Sequence, residues 1–134
     1  MKKFTLITLS LLLISTIGLI LNITITKAHP ETLYVDEDNT TGPWDGTPQH
    51  PYQNITSALI HSSTGDTIYV YNGTYYERLT VDKPISLIGQ NKNGTVINGN
   101  KTGTVIKVTA NNVNITGFTI KTADYSTTYY AAYT

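Results

Sequence analysis

Four tyrosines between positions 69 and 76 are the side chains of this chain best suited to bind a ligand. Tyr69 and Tyr71 alternate with aliphatic residues, so if the aliphatic side chains face a core, these two rings face outward on one strand. Tyr75 and Tyr76 follow in what we predict to be the adjoining turn. Aromatic rings stack on the apolar faces of sugars, which makes the four rings a candidate glycan-binding surface. The alternative, favoured by the strand preference of tyrosine, is packing across strands beneath the N-terminal loop.

A loop dense in acidic and amide side chains precedes the tyrosines. Asp36, Asp38 and Asp45 lie in the stretch VDEDNTTGPWDGTPQHP. Carboxylate oxygens are ligands that calcium prefers, but the spacing lacks the complete calcium-loop pattern with its distal glutamate. Calcium is therefore the only cofactor hypothesis, and the alternative is that these carboxylates are solvated turn residues.

Glycosylation sequons of the type N-x-S/T recur beyond residue 28. Six are present, at Asn39, Asn54, Asn72, Asn93, Asn100 and Asn114. Asn72, Asn93 and Asn100 are the best candidates, because they lie in Asn- and Gly-rich turns where a glycan could be attached without burial.

Three short alternating apolar runs must position the tyrosines and the turns. They are Ile68-x-Val70, Leu79-x-Val81 and Ile85-x-Leu87, each typical of a half-buried strand. Much of this spacing recurs: Leu79-x-Val81 as Ile106-x-Val108 (106 − 79 = 27), Ile85-x-Leu87-x-Gly89 as Val113-x-Ile115-x-Gly117 (113 − 85 = 28), and more weakly Thr67-Ile68 as Thr95-Val96 (95 − 67 = 28). A near-constant offset is typical of a stacked solenoid. We predict an all-β fold, a right-handed parallel β-helix over residues 65–120, with these apolar positions as its core.

A short amphipathic helix is predicted before the first coil. Pro51 to Ser63 carries apolar residues at helical spacing, and we assign residues 52–64 to a helix that caps the N-terminal end of the solenoid. Residues 121–134 lose the strand alternation, and only about two repeats are present where a solenoid usually needs three. We therefore expect the β-helix to be incomplete at its C-terminus.

Residues 1–28 have the composition of an export leader. Lys2 and Lys3 precede an apolar run from Phe4 to Leu21, and Thr26-Lys27-Ala28 fits a cleavage site. The competing interpretation is an uncleaved membrane anchor, which would be the only contact with a membrane. Either way, residues 29–51, a short strand and a loop, and everything after them are predicted to be extracellular or at the cell surface.

Composition restricts the partners. Of 9 Lys and Arg residues, Lys2, Lys3 and Lys27 lie in the leader, which leaves 6 bases against 9 acids and a net charge of −3. We therefore predict no nucleic-acid partner. The chain has no cysteine, so neither disulfides nor thiolate chemistry are available.

The stretch GDTIYVYNGTYYERLTVDKPISLIG, with PYQNITSALIHSSTGDT before it and TVINGN and VNITGFTI after it, resembles a known group. It is similar to the N-terminal region of secreted right-handed β-helix proteins of the pectate-lyase-like superfamily. By pattern it most resembles archaeal and bacterial surface proteins whose repeats also resemble the periplasmic copper-processing NosD group. The resemblance covers roughly Leu33 to Ile120 and implies a fold rather than an activity.

Catalytic members of that superfamily place clustered carboxylates, or carboxylates with Arg or Lys, on the outer face of central coils. Here Arg78 is the only arginine, and the acids Glu77, Asp82 and Asp124 are isolated from one another. Copper chemistry would need clustered His and Met, but His29, His50 and His61 are far apart in sequence and the one Met is the first residue. We predict no catalytic residue in this chain.

Three functions follow from these observations. The leading hypothesis is an exported, non-enzymatic β-helix scaffold or adhesion domain whose partner is a cell-surface glycan or a surface-layer protein. The first alternative is the N-terminal part of a polysaccharide lyase or glycoside hydrolase whose active coils lie beyond residue 134. The second is a NosD-like accessory protein for copper processing.

Overall fold

The computed structural model describes residues 30–100 and 103–122; the leader predicted over 1–28 and most of the tail predicted over 121–134 lie outside them. Within this part the elements, in chain order, are β1 (Thr32–Val35), α1 (Ile55–His61), β2 (Thr67–Val70), β3 (Gly73–Tyr75), β4 (Leu79–Val81), β5 (Ser86–Gly89), β6 (Thr95–Asn98), β7 (Ile106–Val108), β8 (Asn114–Thr116) and β9 (Thr119–Lys121). None of the helical structure in these residues is long and apolar enough to span a membrane.

The strands form three parallel sheets. Sheet A has the order β1-β2-β5-β8, sheet B the order β3-β6-β9, and sheet C consists of β4 and β7. From β2 onward the chain visits A, B and C in turn and then repeats the circuit, so each strand lies beside its counterpart one circuit later. This path confirms the prediction of an all-β, parallel β-helix-like fold. Right-handed winding stays a prediction, supported by the strong preference of parallel crossovers for that hand.

The register confirms two of the three predicted repeats and shows that the third was wrong. Leu79 pairs with Ile106, and Leu87 pairs with Ile115. Thr67, however, pairs with Ser86, only 19 positions later (86 − 67), and not with Thr95. The strand that pairs with Thr95 is β3, which the sequence pattern had assigned to a turn. Register is fixed only where strands pair, so the connections between sheets can differ in length from one circuit to the next.

Inward-facing aliphatic side chains form the core. Those predicted from the first circuit are 0 to 2% exposed: Ile68, Val70, Leu79, Val81, Ile85 and Leu87. Those predicted from the second circuit are less buried, since Ile106, Val113 and Ile115 are only partly buried and Val108 is 40% exposed. The prediction of a buried Val108 was therefore wrong. Among the described residues sheet C has only the strands β4 and β7, but β4 is also contacted by α1, whereas β7 is the last described strand of its sheet.

The capping helix is present but shorter than predicted. It spans seven residues, with the Asn54 side chain accepting the Ser57 N–H at its start, and Ile55 and Ala58 are its buried residues. Tyr52 lies outside the helix, where it forms a parallel bridge to Val35. The helix contacts β1, β2 and β4, so it covers the N-terminal end of the solenoid.

Two charged side chains that flank β4 hold α1 at both ends. The Glu77 carboxylate accepts the N–H groups of Ile55 and Thr56, both at 2.8 Å. The Lys83 ammonium donates to the carbonyls of Leu59 at 2.7 Å and Ser62 at 3.0 Å. An anion at a helix N-terminus and a cation at its C-terminus both complement the helix dipole and the unpaired backbone groups there. A helix this short is unstable alone, so these contacts and its buried face account for its stability.

Two further carboxylates accept backbone N–H groups at the same end of the solenoid. Glu37 Oε1 accepts the N–H of Thr74 on β3, the first strand of sheet B. Asp66 is 1% exposed and accepts the N–H groups of Glu31 at 2.9 Å and Ser63 at 2.7 Å. The Glu37 contact satisfies a backbone donor of the first coil, and the Asp66 contacts satisfy donors of the segments before β1 and after α1.

Candidate functional site

The outer side of sheet A carries the most continuous set of potential ligand contacts in the described part of the chain. Because strand residues alternate in direction, every second residue of β1, β2, β5 and β8 faces outward. Two rows cross these strands: a polar row of Thr32, Thr67, Ser86 and Asn114, and a ring row of Tyr34, Tyr69, Ile88 and Thr116. Tyr71 and Gln90 occupy the next outward positions, just beyond β2 and β5. We call these ten side chains the tyrosine face.

Three rings form the centre of the tyrosine face. Tyr34 and Tyr69 are register partners with ring centroids 5.9 Å apart. Tyr71 stacks on Tyr34 at 6.1 Å and meets Tyr69 edge to face at 5.4 Å. All three are half-buried, so they pack on one another and still present ring surface to solvent. Cross-strand packing and an outward aromatic surface, which the sequence presented as alternatives, therefore both apply to Tyr69 and Tyr71.

Tyr34 was not among the predicted site residues. The alternation of Leu33, Tyr34 and Val35 did indicate that its ring faces opposite to its neighbours. The sequence did not predict that β1 pairs with β2, and this pairing places Tyr34 beside Tyr69.

The hydroxyl of Tyr71 remains protonated at neutral pH. Burial raises the pKa of Tyr71, with smaller contributions from Tyr34, Tyr69 and the Asp36 carboxylate. A neutral phenol can both donate and accept a hydrogen bond, which suits the hydroxyl groups of a sugar.

Tyr75 corrects the sequence prediction, because its ring faces inward. It is 2% exposed, lies on β3 and pairs with the buried Ile97. Its hydroxyl donates to the Tyr71 carbonyl at 3.0 Å, and burial raises the pKa of Tyr75 far above its ordinary value. The prediction of an outward ring was wrong because β3 is a strand rather than a turn. Tyr76 is 68% exposed, and the contacts among the three clustered rings do not include it.

The acidic loop uses its carboxylates in local turns. Asp36 accepts the N–H of Asp38 at 3.1 Å. Asp45 accepts the Thr47 hydroxyl at 2.7 Å and the Thr47 N–H at 2.9 Å, and these hydrogen bonds lower the pKa of Asp45. Over residues 30–100 and 103–122, no three His, Asp or Glu side chains are grouped so that they could hold a metal ion. The structure therefore adds no support to calcium binding by Asp36, Asp38 and Asp45.

The three best glycosylation candidates are all exposed. Asn72 follows Tyr71 directly, and its side-chain oxygen accepts from the Thr95 hydroxyl at 3.3 Å. Asn93 and Asn100 lie in turns, Asn100 with a left-handed φ of 46°. Glycosylation at Asn72, Asn93 and Asn100 stays a prediction.

Neighbouring charged residues that the sequence singled out make contacts with the backbone. Arg78 Nε donates to the Gly99 carbonyl at 3.0 Å, and Glu77 caps α1. His61 is exposed and stacks on Tyr52 with a centroid distance of 5.1 Å. His29 and Asp124 lie outside the described residues.

Comparison with known proteins gives one match. Residues 38–103 match the family described as Protein of unknown function (DUF1565). The matched span contains most of the acidic loop, α1 and strands β2 to β6, and so includes Tyr69 and Tyr71. No curated protein and no solved structure matches the chain.

Proposed function

We propose that this chain is an exported cell-surface domain that binds carbohydrate on the tyrosine face and does not itself turn the glycan over. The observation that carries the proposal is the contact cluster of Tyr34, Tyr69 and Tyr71. The three rings are half-buried and lie beside a row of polar side chains. Sugar rings have an apolar face and a hydroxyl-bearing edge. An aromatic patch beside Thr, Ser and Asn side chains offers a complement to both.

The rigidity of the face supports a binding role. Strand pairing fixes the backbone of β1 and β2, and the mutual packing of the rings restricts their rotamers. A preorganised surface loses less conformational entropy when a ligand binds. A solenoid is a suitable scaffold for such a surface, because stacked coils extend one face along the axis.

The surface location is supported by the sequence of residues 1–28 and by the low content of charged residues, 13%. A relationship to the pectate-lyase-like superfamily and its NosD-like members is also part of this proposal. No specific observation favours the lyase, hydrolase or copper-processing alternatives, and Glu77 and Arg78 are already engaged with the backbone.

The test measures retention and turnover with the full 134-residue chain. The probes are cellopentaose, mannohexaose and polygalacturonate, titrated by calorimetry against the unmodified protein, Tyr69→Ala and Tyr71→Ala. Tyr76→Ala is the matched control, because it removes an exposed ring outside the cluster. Losing one stacking ring should weaken binding roughly 2- to 12-fold, the equivalent of about 0.5 to 1.5 kcal/mol. The control should bind like the unmodified protein.

Two results would contradict the proposal. The first is a failure of the cluster to account for binding, seen either as no binding to any probe or as equal losses in Tyr69→Ala and Tyr76→Ala. The second is release of unsaturated products from polygalacturonate, which would replace a binding domain with a lyase. Unfolding midpoints of the variants check that a loss of binding is not a loss of fold.

A further inference from the structure

The tyrosine face itself carries no cationic side chain. None of the ten side chains of the tyrosine face is Lys or Arg. An anion acts on its rings: the Asp36 carboxylate contributes to the raised pKa of Tyr71. The described cations lie outside this set: Arg78 precedes β4, Lys107 is on β7 and Lys121 on β9. Lys83 and Lys92 lie before and after β5, and the Lys83 ammonium donates to the Leu59 and Ser62 carbonyls at the end of α1.

The tyrosine face also has a direction. Its polar row and its ring row both run across the strands, from β1 through β2 and β5 to β8. Three spacings of roughly 4.8 Å between neighbouring strands make each row about 14 Å long. A ligand lying across the strands meets two aromatic rings, Ile88 and Thr116 in one row and polar side chains in the other. A ligand lying along one strand meets each row only once.

From these two observations we infer the class of glycan. The tyrosine face binds an uncharged, extended oligosaccharide that lies across β1, β2, β5 and β8, and it discriminates against uronate chains. This inference rests on the proposed function and adds to it the charge and the orientation of the ligand.

The discrimination has an electrostatic cause. A uronate carries a carboxylate on every sugar, and removing that charge from water is unfavourable unless a cation replaces the lost hydration. Lys and Arg provide such a partner, but the face has neither, and Asp36 adds repulsion at its edge. The Thr, Ser, Asn and Gln side chains of the face pair well with neutral hydroxyl groups.

The orientation has a thermodynamic consequence. Each further sugar along the rows adds contacts until the chain spans the face, after which additional sugars reach nothing new. Affinity should therefore increase from a monosaccharide to an oligosaccharide of a few units and then level off.

The experiment compares a uronate chain with the same chain after esterification, which removes its negative charges and adds only methyl groups. Hexagalacturonate and its fully methyl-esterified form are titrated at low salt against the full chain, together with mannose, mannohexaose and cellopentaose. We expect at least one neutral oligosaccharide to bind, its monosaccharide to bind far more weakly, and hexagalacturonate to bind at least about tenfold more weakly than its ester, since like charges at an interface are costly. The difference should shrink as salt is added.

A variant that introduces a positive charge sharpens the test. Ser86→Lys places a cation in the middle of the polar row and should bring hexagalacturonate binding close to that of the ester. Thr80→Lys adds the same charge on β4 of sheet C, where the side chain is exposed, and should leave the discrimination unchanged.

The outcomes distinguish a failure of the proposed function from a failure of the inferred ligand preference. If no oligosaccharide binds in a manner that depends on Tyr69, the proposed function itself fails. If hexagalacturonate binds as tightly as its ester and Tyr69→Ala weakens both, the face binds glycan but the inferred charge preference is wrong. Equal affinity for a monosaccharide and an oligosaccharide would overturn the inferred orientation.

Discussion

The two ends of the described solenoid are built differently. At the N-terminal end, β1 and α1 cover the first coil. Glu37 accepts the N–H of Thr74 on β3, and Asp66 and Glu77 accept N–H groups of the covering segments, those of Glu31 and Ile55 among them. At the strands furthest from that end, inward-facing aliphatic residues are only partly covered, with Val108 as the clearest case. The comparison shows that stacking alone buries the middle of the solenoid, whereas closing an end requires additional side chains that pair with backbone groups.

The largest expected effect tests the burial half of this comparison. Leu87→Ala empties a fully buried site between two neighbouring strands of sheet A and should lower the free energy of unfolding by about 2 to 5 kcal/mol. Val108→Ala removes a side chain that is 40% exposed and should cost less than about 1.5 kcal/mol. Urea unfolding of the full chain measures both. Equal losses would mean that the two positions are equally buried in solution.

An intermediate effect tests the capping half. Glu77→Ala leaves the N–H groups of Ile55 and Thr56 without their carboxylate and should cost about 1 to 3 kcal/mol, the range for losing hydrogen bonds to a charged group. Asp82→Ala is the control, because it removes an exposed carboxylate directly after β4, and it should change the free energy of unfolding by less than about 0.5 kcal/mol. A loss for Glu77→Ala no greater than for this control would show that α1 does not depend on the contact.

The smallest effect concerns the exposed acidic loop and appears as a dependence on pH. The hydrogen bonds from Thr47 hold the pKa of Asp45 below its ordinary value of 3.8. A carboxyl group with a lowered pKa in the folded state adds stability above its unfolded pKa and loses that contribution as pH falls through the folded pKa. Between pH of about 5 and about 2, Asp45→Asn should therefore lose less stability than the unmodified protein. Parallel curves of unfolding midpoint against pH would contradict this.

The sequence predicted those parts of the fold that repeat with a simple period. The pairs Leu79 with Ile106 and Leu87 with Ile115 were found because alternation marks a strand and a nearly constant offset marks its counterpart. The strand β3 was missed because Gly73, Thr74 and Tyr75 contain neither an aliphatic residue nor an alternation long enough to recognise. That omission also produced the wrong partner for Thr67 and the wrong direction for Tyr75.

Contacts between distant side chains were beyond the reach of the sequence. Glu77 lies 22 positions from Ile55, and nothing near it in the chain indicates that it caps a helix. Tyr34 joins Tyr69 only because β1 precedes β2 in sheet A, and a single short strand has no periodicity that reveals its neighbour. The outward direction of Tyr69 and Tyr71 could be predicted from alternation. Which other side chains join them depends on strand order, which the sequence does not reveal.

The approach of Gly89 to Gly117 has an evolutionary consequence. A side chain at either position would collide with the backbone of the other glycine, and Gly117 has a left-handed φ of 79° besides. Phe118, 8% exposed, lies within reach of a Cβ at Gly89. A second substitution at the partner glycine cannot relieve such a collision, because the obstacle is main chain. If the coils arose by duplication, the connections between sheets could diverge in length without affecting the strand pairing. A side chain at Gly89 or Gly117, in contrast, would require the two coils to move apart.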